Sequence, residues 1–74
     1  MRKQYQVSCA TPDGDVVLGT TNTMAGIESI VKQFIRDNDG NPDVIIKENH
    51  NGRYITTNKC DRLIDSLSTA YWFN

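Results

Sequence analysis

Asn51-Gly52 constrains this chain more than any other pair of residues. A two-residue type I′ turn needs positive φ at both positions, and Asn followed by Gly adopts it at the least steric cost. The runs on either side carry Val44, Ile45, Ile46, Tyr54 and Ile55, branched and aromatic types that suit a pleated strand. With Asn51 and Gly52 as the whole loop, His50 faces Arg53, Glu48 faces Ile55 and Ile46 faces Thr57. The two-residue period then puts Val44, Ile46 and Ile55 on one side, the expected core side. Ile45, Lys47, Tyr54 and Thr56 share the other, which Ile45 and Tyr54 keep from being fully wet.

The N-terminal third predicts a second hairpin. In residues 4–9, Tyr5, Val7 and Cys9 alternate with Gln4, Gln6 and Ser8, the pattern of a half-buried strand. Thr11-Pro12-Asp13-Gly14 supplies turn chemistry, and residues 16–21 return as a partner strand. Thr23 then reads as a helix N-cap. Beyond it Ile27, Ile30, Val31, Phe34 and Ile35 form one apolar stripe at helical spacing, and Glu28 with Lys32 makes a favourable i,i+4 pair. Gly40 and Pro42 stop that helix. A second helix follows Asn58, with Cys60, Leu63, Ile64, Leu67 and Tyr71 on its apolar side. The order β-β-α-β-β-α predicts an α+β fold, a small two-layer sandwich with an antiparallel sheet of about four strands and both helices on one face.

Seventy-four residues hold one core, so residues 1–74 are read as a single domain of modest stability. Its net charge of -1 gives no global pull toward nucleic acid or an anionic membrane. No apolar run approaches the roughly 20 residues that span a bilayer, and the start lacks an apolar signal-peptide core. A cytoplasmic protein that does not engage membranes is expected. Cys9 and Cys60 have no close-spaced partners, and two small buried thiols are expected.

Asp37, Asp39, Asn41, Asp43 and Glu48, with the apolar Val44 between them, resemble the calcium-binding loop of EF-hand proteins. Pro42 stands where that loop bends at Gly, and Asn51-Gly52 turns the chain where an exiting helix would run. Residues 37–48 are therefore read as a solvated turn entering a strand, with no metal. His50 is the single imidazole and is expected at a hairpin tip without walls to exclude water. No Gly-rich phosphate loop or nucleophile motif appears. No enzyme, no catalytic residue and no cofactor are expected.

By elimination the chain reads as a small protein-interaction module that covers a surface on another protein. Its size class is shared with phage and mobile-element accessory or inhibitor proteins. The candidate contacts are Ile45, Lys47 and Tyr54 on the outer sheet face and Tyr71, Trp72 and Phe73 at the end. Tyr71 is expected in the core, with Trp72 partly exposed; a second copy of the chain is a further candidate partner. Nucleic acid ranks second, through Arg2, Lys3, Lys47, Arg53 and Lys59 gathered near one sheet surface, with Tyr5 or Tyr54 as stacking platform.

Overall fold

The structure is a computed structural model that describes residues 3–73. It contains β1 (Tyr5–Thr11), β2 (Gly14–Thr21), α1 (Met24–Asp37), β3 (Ile45–His50), β4 (Arg53–Thr56) and α2 (Asp61–Phe73). The strands form one antiparallel sheet in the order β2-β1-β3-β4. The expected α+β sandwich is the observed architecture, with both helices on one face of the sheet. Among the described residues no helix is long and apolar enough to cross a membrane.

Each turn is made by the residues whose local chemistry demands it. Asn51 and Gly52 take φ of 54° and 88°, and Asn49 Oδ1 accepts the Gly52 N–H at 2.9 Å. His50 pairs with Arg53 and Glu48 with Ile55, while the Thr57 N–H donates to the Ile46 carbonyl at 2.9 Å. Thr23 caps α1, its hydroxyl accepting from the Gly26 N–H at 3.0 Å. At the other end the Gly40 N–H donates to the Ile35 carbonyl at 2.8 Å.

The core joins Tyr5, Val7 and Ile46 of the sheet to Ile27, Val31 and Ile35 of α1, and to Cys60 and Ile64 at the start of α2. Burying such aliphatic side chains stabilises the fold by about 1.5–3 kcal/mol each before the entropy of ordering them is counted. Ile30 packs against the rim of this centre and Phe34 does not reach it. They lie half-buried beside Leu18 and Cys9 in a groove of about 640 Å³ between α1 and the first hairpin. The apolar stripe of α1 is thus wider than the surface that covers it. Leu18 is the extra residue of a β-bulge, since the pairing passes from Val7–Gly19 to Ser8–Val17.

Candidate functional site

The six candidate contacts divide between the two layers. Ile45, Lys47 and Tyr54 lie on the outer sheet face, and Tyr71, Trp72 and Phe73 end α2 on the other side of the sheet. They form two surfaces.

On the outer face Ile45 and Tyr54 are half-buried and Val17 is 53% exposed. Lys47 Nζ lies 3.4 Å from Asp15 Oδ2. Lys47 pairs with Gln6 and Asp15 with Ala10, so this ion pair spans β1 above Ser8. Ser8 is fully buried, and its hydroxyl has no partner among the described residues. Lys47 therefore does not gather with Lys3, Arg53 and Lys59 as the sequence suggested. Its charge is spent on an aspartate, and the other three lie toward the opposite face. Tyr5 is buried, which removes one expected stacking platform. Arg2 lies outside the described residues.

At the end of α2 the aromatic side chains are open. Tyr71 is 41% exposed, Trp72 63% and Phe73 87%. Tyr71 is thus not a core residue. The core ends at Ile64 with the flanking Leu63 and Leu67, and the next turn of α2 meets the loop after α1 instead. Ser68 Oγ donates to the Gly40 carbonyl at 3.0 Å. Tyr71 and Trp72 stand edge to face, with ring centroids 5.3 Å apart. Beside them runs a groove of about 370 Å³ between the helices, lined by Lys32, Ile35, Arg36, Leu67, Ala70 and Tyr71.

A third constellation was not visible in the sequence. Glu48, opposite Ile55 on the inner sheet face, has a side chain only 4% exposed. Lys59 Nζ lies 3.2 Å from its Oε2, Lys3 Nζ 3.4 Å from its Oε1 and His50 Nε2 3.7 Å from its Oε2. The hydrogen bond from Lys59 holds the Glu48 carboxyl below its ordinary pKa against the opposing effect of burial, with Lys3 adding to it. Glu48 in turn pushes the Lys59 ammonium up. His50 is therefore not an isolated tip residue. Ile55, expected in the core, is 52% exposed, because β4 is an edge strand that lies beyond the cover of the helices. Glu48 is held in a strand by lysines, unlike the closing residue of a calcium loop. Among the described residues no cluster of His, Cys, Asp or Glu side chains is arranged to hold a metal.

No protein family, curated protein or solved structure matches this chain. Any functional reading rests on these surfaces themselves.

Proposed function

We propose that the chain is a non-enzymatic protein-interaction module that covers a surface on a partner protein, with Tyr71, Trp72 and Phe73 as its anchor. One observation carries this reading: Trp72 and Phe73 are 63% and 87% exposed on a helix whose last turns are fixed against Gly40. Neighbouring exposed aromatics disfavour solubility and add little to folding. Held on a helix they lose little further freedom on binding, the condition under which Tyr and Trp act as interface anchors. Arg36 and Lys32 beside them supply a polar rim. Ile45, Lys47 and Tyr54 form a secondary contact surface, with Lys47 already engaged by Asp15.

Catalysis has less support. Glu48, the one buried carboxylate among the described residues, is engaged by two lysines, and such a group is a poor general base. A role as a phage or mobile-element accessory or inhibitor protein working in the cytoplasm fits the size and the aromatic anchor. Binding of nucleic acid through a basic, aromatic sheet face has less support, because Lys47 is paired and Tyr54 is half-buried.

The test places a photo-crosslinking amino acid at the exposed Thr69 of α2 and compares capture with Trp72 and Phe73 intact to capture by the same chain carrying Trp72→Ala/Phe73→Ala. The expected result is one cross-linked protein, captured at moderate salt and lost in the double variant while its melting temperature stays within a few degrees. Capture that the double variant leaves unchanged refutes the anchor. A cross-link only to a second copy makes the cluster a dimer seam and refutes the partner reading.

A further inference from the structure

Basic side chains from three parts of the chain gather around Glu48 and Ile55 on the inner face of the sheet. One row of that face runs Tyr5, Glu48, Ile55 across β1, β3 and β4. Tyr5 is buried in the core, Glu48 is sunk between lysines, and Ile55 is open to solvent. Lys3 and Lys59 both reach Glu48, yet their side chains stay 61% and 59% exposed. Arg53 is exposed and stands opposite His50, on the same face as Glu48 and Ile55. Seen from outside, three permanent cations lie over a single hidden carboxylate. Asp13, Asp37, Asp39, Asp43 and Asp65 are exposed outside this row, while Asp61, at the start of α2, is one exposed acid two residues from Lys59. A chain of net charge -1 thus presents a local positive surplus around an exposed aliphatic side chain.

We propose that this patch docks an extended, acidic segment of a partner protein, with an aliphatic residue placed on Ile55 and flanking carboxylates at Arg53 and at the Lys59–Lys3 pair. Charge complementarity selects the acids, and Ile55 selects the apolar residue between them. β4 is an edge strand, so an extended segment can add beside residues 53–56, and alternate side chains of such a strand fall on one face. The matching pattern has an acid two residues from an aliphatic residue. Glu48 contributes by holding two long cationic side chains in place before binding, which lowers the entropy lost on association. A protein segment is favoured over nucleic acid because no exposed aromatic borders the patch: Tyr5 is buried and Tyr54 faces the other side. The surface is separate from the aromatic end of α2, and each can bind without the other.

Fluorescence anisotropy tests it with a labelled peptide Thr-Glu-Thr-Leu-Thr-Glu-Thr, the same peptide with Lys for Glu, and a labelled oligothymidine, each at about 50 and about 150 mM salt. The acidic peptide is expected to bind, and the basic one to bind at least about tenfold more weakly. Arg53→Glu and Ile55→Thr, both at exposed positions, should each weaken the acidic peptide by about tenfold, with melting temperatures near that of the wild type. Trp72→Ala should leave this binding unchanged, which separates the patch from the aromatic anchor. If Arg53→Glu fails to fold, Ile55→Thr alone decides. Equal binding of both peptides, or binding indifferent to both variants, overturns the proposal. So does tighter binding of oligothymidine that Arg53→Glu removes, or a concentration-dependent dimer that Arg53→Glu dissolves.

Discussion

Gly40 and Trp72 meet so closely that a methyl group on Gly40 would lie 2.6 Å from Trp72 Cε2 and Nε1, with Tyr71 Cδ1 at 2.7 Å. Gly40 also has φ of 87°, so two independent requirements fall on one residue. It follows Asp39, whose φ is 54°, in the turn that closes α1, and it lets the last turns of α2 seat on the loop. The aromatic surface is positioned by the turn that follows α1.

Gly40→Ala should therefore destabilise by about 2–4 kcal/mol, combining the left-handed backbone cost with overpacking against the rings. For a domain of this size the melting temperature should fall on the order of 10–20 °C. Trp72→Ala on the Gly40→Ala background should restore part of the loss, because the backbone cost and the close approach of Tyr71 stay while the clash with the indole goes. Equal melting of the single and double variants would mean that the ring does not press on Gly40.

The Glu48 cluster gives a pH dependence with a definite sign. A folded carboxyl held below its ordinary value of 4.5 binds fewer protons than the unfolded chain at acid pH. Its contribution is complete above that value and fades as pH falls through the lower folded value. Lys59 is raised above 10.5, so its contribution is complete below that value and fades as pH rises through the higher folded one. Glu48→Gln should lower the melting temperature at pH 7 and shrink its fall on acidification below pH 4.5. Parallel melting curves against pH for wild type and Glu48→Gln would contradict the pairing.

The two thiols should differ in reactivity. Cys60 is 1% exposed, and burial pushes its thiol pKa up, with the charges of Asp61 and Glu48 acting in the same direction. Cys9 is half-buried on the wall of the groove beside α1. Since the thiolate is the reactive form and must be reached, a disulfide reagent at neutral pH should titrate one thiol about tenfold faster than the other. Cys9→Ser should remove the fast phase. A fast phase that survives in that variant would place Cys60 nearer the surface than the core packing implies.

What could be read from the sequence was local. The Asn51-Gly52 register, the Thr23 cap and the stop at Gly40 each depend on a few adjacent residues whose backbone preferences have one economical solution. The Glu48 cluster was not legible, because its cations come from Lys3 and Lys59, brought together only when β1 pairs with β3 and α2 starts beside them. The two-residue period did put Glu48 on the inner face, but a carboxylate there has no apolar signal to mark it. Ile55 and Tyr71 failed for a related reason. Periodicity assigns a face but does not say how far along it the opposing layer extends. The sheet reaches past the helices at β4, and α2 runs past the core at Tyr71.

The same limit sets a last prediction within α1. Val31 is fully buried at the centre of the core, whereas Phe34, on the same predicted stripe, is half-buried at the groove. By size alone Phe34→Ala would be the worse change, at about 3–5 kcal/mol for a fully buried ring. The observed placement reduces this, since much of the Phe34 ring faces a groove into which water already reaches and its removal leaves no sealed cavity. Phe34→Ala should cost about 1–2 kcal/mol, while Ile27→Ala, a truncation at a site with no exposure, should cost about 2–5 kcal/mol. Urea denaturation of the two variants should thus order them opposite to side-chain size. If Phe34→Ala proves the more damaging, α1 must sit rotated toward β2, closing the groove and drawing the Phe34 ring into the core.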